Sequence, residues 1–415
     1  MDLARDGGLG SGQSPVIGAT ALVGVVLVSP AGPIRRVSDA IASANPRDTV
    51  LILAGRYDEA ATILVNKPLT ILGRGGPVVR GRGDYTIFRV TADSVTISGL
   101  SIENVQPSNT DDRAGVKLEG ARWCTIRQNN VTNTFFGIYG SKVSDCQIIE
   151  NRIAGPGTRA TLGGNAIQFW SSARIEVRGN RLTGHRDGIY LEFVNGSELS
   201  GNTSTGNARY GLHFMFSDGC RYRDNLFVRN GAGVAVMYSK RITMEGNRFA
   251  ENQGAAAYGL LLKDITDGSI SENRFESNSI GLYLEGSNRL SVSGNRFEAN
   301  GDAIRVLANA TDNEFGGNSF FGNAFDVTTN SRSATSRFRG NYWDRYRGFD
   351  LDRDGRGDVP HRPVRLFSLI VERHGPAVIL HRSLFVDLLD AAERVLPILT
   401  PEALEDGAPL MSPPR

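Results

Sequence analysis

The sequence predicts an all-β fold: a right-handed parallel β-helix of about 22-residue coils, with a short N-terminal helical cap and a C-terminal helical tail. Three observations carry this expectation. An Asn recurs at Asn129, Asn151, Asn180, Asn202, Asn225, Asn247, Asn273, Asn295, Asn318 and Asn341, with a bulky apolar residue two positions later everywhere except Ser204. A Gly or Ala opening an apolar run keeps step with it, at Gly137, Ala166, Gly188, Gly211, Gly233, Gly259, Gly281, Ala303 and Ala324. Between these markers apolar and polar residues alternate and are cut by Asn, Gly, Ser and Asp turns, leaving room for three short strands per coil and none for a helix.

The elements follow in order. Residues 1–31 contain an apolar run, Val16 to Val28, broken at Gly18 and Gly24 and ending near small residues. It is too short for a membrane span and suits the core of an export leader. Residues 32–85 form an N-terminal cap. Ile34, Val37 and Ile41 have helical spacing, and a helix there would cover the open first coil. Short strands follow at Asp48 to Leu53, Ala61 to Val65 and Leu69 to Leu72. Residues 86–343 are the regular β-helix. Its Asn column is expected to be a stacked amide ladder inside a bend, not a set of catalytic amides. Residues 344–415 hold an Asp/Gly/Pro loop and a tail, in which Ser383 can cap a helix running to Leu396 before Pro397. Leu384, Leu388, Leu389, Ala392 and Leu396 make its apolar stripe.

Composition narrows the function. The 415 residues carry 46 basic and 44 acidic side chains, net +2, with no basic block, so nucleic acid is not an expected partner. The three cysteines, Cys124, Cys146 and Cys220, include no CxxC pair and cannot form a full disulfide framework. Cys220 sits where other coils carry Ile or Leu and reads as a core residue. No phosphate-binding G-x-x-x-x-G-K-[ST] loop is present, so the chain does not itself hydrolyse nucleotides.

The repeat also sorts inward from outward residues. In Gly281 to Glu285, Leu282 and Leu284 should point into the core and Tyr283 and Glu285 outward. Two outward columns result: Tyr190, His213, Ala235, Leu261, Tyr283, and beside it Glu192, Met215, Met237, Lys263, Glu285. Coils lie about 4.8 Å apart, so Met237 falls beneath Met215, with His213 roughly 7 Å along the strand. The chain has only five Met and five His. Thioethers beside an imidazole, with few carboxylates, suit Cu(I) better than zinc or calcium, so His213, Met215 and Met237 are candidate copper ligands. The other reading is a Met-lined contact patch. Met244 aligns with core positions. A second candidate is Asp350, Asp352, Asp354 and Asp358, whose spacing suits a calcium loop, although position twelve is His361 and not Glu. Enzymatic signals are thin: His185 to Asp187 is a turn, and no regular carboxylate ladder or aromatic stripe is legible.

With those residues in view, the chain resembles the NosD family, periplasmic β-helix subunits of nitrous oxide reductase maturation systems. The resemblance is carried by Gly211 to Ser217, Gly233 to Tyr238, Asp187 to Phe193, Asn341 to Trp343, Asp358 to Pro363, and the tail from Phe385 to Leu389 and Leu399 to Pro401. It implies a non-catalytic protein working with an ABC-type permease and its ATPase. It implies copper received from a copper chaperone lipoprotein and passed toward nitrous oxide reductase. The tail, through Leu384, Phe385, Leu388, Leu389 and Leu396, would dock on the permease. The alternative on the same fold is a carbohydrate-binding or carbohydrate-modifying protein.

Overall fold

The computed structural model describes residues 24–157, 163–331, 335–381, 383–395 and 404–414. Three parallel sheets of 14, 12 and 13 strands run the length of the molecule, and successive strands pass from one sheet to the next before returning a coil later. The 12-stranded sheet, here the front sheet, runs from Ile63–Val65 to Phe325–Thr329. Alternating residues of all three sheets fill one continuous apolar core. The β-helix expected from the Asn period is therefore the observed fold.

The bends explain that period. Asn225 donates from Nδ2 to Asn247 Oδ1 at 2.9 Å and to the Leu199 carbonyl at 2.9 Å, while its own amide also reaches Asn247 Oδ1 at 3.0 Å. The same pattern runs from Asn129 to Asn341. The residue before each Asn, such as Asp224 (φ 54°) or Gly246 (φ 65°), is left-handed, which turns the chain sharply. A non-glycine residue there costs about 1 kcal/mol, and the buried amide network holds it in place. Two residues on, the apolar side chains stack: Phe227, Phe249, Phe275, Phe297, Phe320 and Trp343 have centroids 4.1–5.6 Å apart. Ser204 breaks the row but is satisfied, donating to the Gly211 carbonyl at 2.8 Å.

A second amide ladder, not foreseen from the sequence, runs five residues behind the first through Asn207, Asn230, Asn252, Asn278, Asn300 and Asn323. This ladder and the close backbone of the next coil together crowd the glycine marker. A Cβ at Gly211 would lie 2.8 Å from Asn230 Nδ2, and one at Gly233 would lie 2.2 Å from the Gly259 carbonyl. The longer coils, at 151–180 and 247–273, carry their extra residues just before the front strand, so the register of all three sheets survives.

The first strand starts ahead of the expected cap. Val25–Val28, inside the segment expected to be a leader, is a strand paired with Thr49–Leu53, and Val28 is buried. Residues 1–23 lie outside the described residues. Coiling begins here and not at residue 86, because the first coils turn on Gly and Pro residues instead of Asn. Helix α1 (Val37–Ser43) closes the start with Val37, Ala40 and Ile41, and Glu59 accepts the Val37 amide at 2.8 Å. At the far end lie α2 (Leu366–Arg373) and α3 (Leu384–Val395). The Ser383 hydroxyl does not cap α3; the Val386 amide donates instead to the Ser383 carbonyl at 3.0 Å. Among the described residues no helix is long and apolar enough to cross a membrane.

The final segment returns to terminate the first ladder. Asp406, fully buried, accepts from the amides of Gly340 and Asn341, from Asn341 Nδ2 and from Trp343 Nε1 at 2.9–3.1 Å. Its backbone pairs with His361. Asp406→Ala leaves these donors buried without acceptors. It is expected to lower unfolding free energy by about 3 kcal/mol or more, read from denaturant midpoints.

Acid should weaken the fold. Burial pushes both His185 and His361 down to about 4 from an ordinary 6.5, so each stays neutral when folded and binds a proton more readily when unfolded. Their contribution is complete above pH 6.5 and is lost as pH falls through 4, by up to about 3 kcal/mol each. Asp326, raised by burial to about 6, and Asp187 and Glu393, raised by desolvation, act in the opposite sense, while His213, held down at about 3, acts with the other two histidines. Urea midpoints should therefore fall between pH 7 and 4.5, and less steeply in His361→Gln.

Candidate functional site

The front sheet carries both expected columns in register. Tyr190 pairs with His213, His213 with Ala235, Ala235 with Leu261 and Leu261 with Tyr283. Alongside, Glu192 pairs with Met215, Met215 with Met237, Met237 with Lys263 and Lys263 with Glu285. Met215 and Met237 are therefore direct neighbours on adjacent coils, both half-buried, while Met244 lies in the core.

The charged members of the second column are engaged. Lys263 pairs with Glu285 at 2.8 Å, and Glu192 accepts from the Tyr190 hydroxyl at 3.2 Å. The two thioethers sit between these pairs. A soft cation there would meet sulfur before it met a free carboxylate.

His213 faces away from the core, as expected, yet is only 4% exposed. Tyr190 and Tyr210 pack on its ring at centroid distances of 5.0 and 4.9 Å. Arg209 donates to its Nδ1 at 2.8 Å, so the proton of the neutral ring is on Nε2, which has no hydrogen-bond partner. Burial first, then Arg209 and Arg186, hold its pKa down at about 3. The ring is thus uncharged at neutral pH, the state a metal requires.

Behind His213 is a buried carboxylate. Asp187 opens the front strand after the His185–Arg186 turn and is 0% exposed. Its Oδ1 accepts the Tyr210 amide at 3.1 Å and lies 3.5 Å from Arg209 Nε; its Oδ2 accepts no hydrogen bond and lies 3.8 Å from Arg186 Nε. Desolvation raises its pKa. Tyr258, delivered by a longer coil, reaches the Tyr210 hydroxyl at 3.3 Å and closes the lower side. Neither Arg209 nor Asp187 belongs to the two columns, so column reasoning passed over both.

A further feature escaped the sequence reading. Phe193, Phe216 and Tyr238, each following a residue of the methionine column, stack on the surface at 5.0 and 5.1 Å with interplanar angles of 10° and 12°. All three are exposed and left-handed, φ 51–55°. The signal was an aromatic directly after Glu192, Met215 and Met237.

The Asp loop folds back on its own backbone. Carboxylates of Asp350, Asp352 and Asp354 lie within 4.8 Å of one another, but backbone amides of Asp354, Gly355 and Arg356 already donate to them. Asp358 turns away to accept the Leu351 amide at 2.7 Å, and His361 is half-buried against Trp343 and Tyr346.

On the tail, the docking candidates divide. Val386 is buried against Phe325 and Phe367, with Leu389 partly buried beside it. Leu384 (74% exposed), Phe385 and Leu388 (62%) face outward, and Val378 and Ile379 are exposed as well. Leu396 lies outside the described residues.

Residues 156–348 match the family described as periplasmic copper-binding protein (NosD). The chain is similar to a Pseudomonas aeruginosa protein named probable ABC transporter binding protein NosD, with 30% identity over 382 residues and 88% of each chain covered. A Stutzerimonas stutzeri protein of the same name is 28% identical over 381 residues, covering 87% of this chain and 86% of that one. Among solved structures, the catalytic unit of a GH87 α-1,3-glucanase from Streptomyces thermodiastaticus strain HF3-3 superposes with a TM-score of 0.59 at 14% identity, covering 74% of this chain and 65% of the glucanase, a likeness of fold alone. The front sheet, with its methionine pair, lies largely within the matched region, and the similarity extends through most of both relatives: the chain belongs to the NosD family.

Proposed function

We propose that this chain is a non-catalytic periplasmic protein that holds Cu(I) on its front sheet and works with an ABC-type permease and its ATPase. The cargo would come from a copper chaperone lipoprotein and go toward nitrous oxide reductase. The observation that carries this reading is the in-register pair Met215 and Met237, with the neutral His213 one position away on the neighbouring column. Thioether and imidazole together favour a soft monovalent ion, and the covered position slows its loss to water. The family description and the relatives' names support the compartment and the transporter link.

The carbohydrate alternative gains little from the exposed aromatic stack. Both faces of Phe216 are taken by Phe193 and Tyr238, so the stripe presents mainly ring edges. A sugar-stacking platform needs free faces.

Met215→Leu with Met237→Leu keeps the bulk and removes the sulfur. The double variant is expected to bind Cu(I) at least about tenfold more weakly, about 1.4 kcal/mol, in competition with a chromophoric chelator. X-ray absorption of the wild-type complex should show sulfur and nitrogen neighbours; oxygen-only coordination would reject the assignment.

The permease reading places the contact on the outward face of α3. Truncating the tail is a poor test, because it also removes Asp406 from the ladder end. Leu384→Asp with Leu388→Asp changes only exposed positions. Co-purification with the permease should drop at least about tenfold while the melting temperature stays within a few degrees.

A further inference from the structure

Arg209 stands where a bound cation would stand. Its guanidinium donates to His213 Nδ1 at 2.8 Å, which covers the one lone pair the neutral ring can offer a metal. Yet the arginine is poorly satisfied. Its Nε is buried without a hydrogen-bond partner, and Asp187 Oδ2 is likewise without one. The two groups already approach each other, Arg209 Nε to Asp187 Oδ1 at 3.5 Å. A small swing of the guanidinium toward Asp187 would join both unsatisfied atoms in a bidentate pair and uncover His213 Nδ1. The guanidinium carbon of Arg209 lies over the Tyr210 ring, 4.4 Å from its centroid, and a swing toward Asp187 slides the guanidinium across that ring face.

We propose that Arg209 is a latch on the copper site: in the empty protein it occupies the His213 lone pair, and on metal entry it moves to Asp187 while Cu(I) takes its place at Nδ1. One positive charge replaces another beside the ring, and Asp187 receives the displaced one. No proton is gained or lost, since the Nε2 proton of His213 stays where it is. Arg186, 3.8 Å from Asp187 Oδ2, balances the carboxylate in the empty state and gives way as Arg209 arrives. Arg209 is thus a positioning residue that sets entry and release, and the inference rests on the copper reading above.

The test uses the full chain. In Arg209→Leu the latch is gone, and Cu(I) should bind at least about tenfold more tightly or proportionally faster in chelator competition and stopped flow. Arg209→Lys, which keeps a cationic donor, should stay near wild type. Asp187→Asn removes the landing site and should slow binding. Arg209→Leu with Asp187→Asn removes both charges together, so it covers the case in which Arg209→Leu alone unfolds through an unpaired Asp187; it should bind like Arg209→Leu. Nitrogen-15 NMR of the metal-free wild type should place the His213 proton on Nε2, with Nδ1 accepting.

Two failures are separable. If the methionine double variant weakens Cu(I) binding but the Arg209 variants bind as wild type does, the latch is wrong and the site stands. If the methionine variant changes nothing while Arg209→Leu binds more tightly, the latch stands on His213 and the methionine assignment falls. A metal-free His213 protonated on Nδ1 overturns the latch whatever the titrations show.

Discussion

The governing constraint is that the buried polar groups of one coil are satisfied by the next. Each Asn at the first bend spends its carbonyl oxygen on the preceding Asn and its amide protons on the following one and on a backbone carbonyl. Such a chain of bonds is cooperative, but it cannot stop by itself, because the last Asn has donors and no acceptor. Asp406 ends it with a carboxylate drawn from 65 residues away. The positive-φ turns, the aromatic stack and the closely packed glycines all depend on coils held in that register.

Register is also what makes the functional face. Nothing in the local sequence around Met215 brings it to Met237; they meet because 22 residues make one coil and the strands pair without a slip. Longer coils insert their extra residues at one corner, so the columns continue past them. The same corner delivers Tyr258 to the edge of the His213 cluster. The site is thus a product of repeat length more than of any motif.

The period made much of this legible. It announced the fold, the first Asn ladder, the core position of Met244 and the two outward columns. It was blind to interactions across columns. Besides its column neighbour Tyr190, the covering of His213 depends on Arg209 and Tyr210, which lean in from outside the column, and a column describes backbone pairing only. The second Asn ladder did have a signal, an Asn five residues after the first, but the stronger marker masked it. The early coils turn without Asn, so the regular repeat was counted only from residue 86, and Val25–Val28 went to the leader because it closes an apolar run. Asp406 carried no signal at all, since its partners are set by where the tail returns. The tail helix looked like a single docking stripe; in three dimensions Val386 and Leu389 hold it to the last coils, and Leu384, Phe385 and Leu388 are left outward.

A stack bonded along its whole length behaves mechanically as a stiff rod. The methionine pair and the tail-bearing end of the front sheet are separated by four coils, about 19 Å of continuous parallel pairing. Bending that span would stretch ladder bonds in three sheets and two amide columns at once, whereas tilting it as a unit stretches none. A small rocking motion imposed at the tail end therefore arrives at the methionines as a lever stroke, enlarged with distance from the pivot and without loss in between.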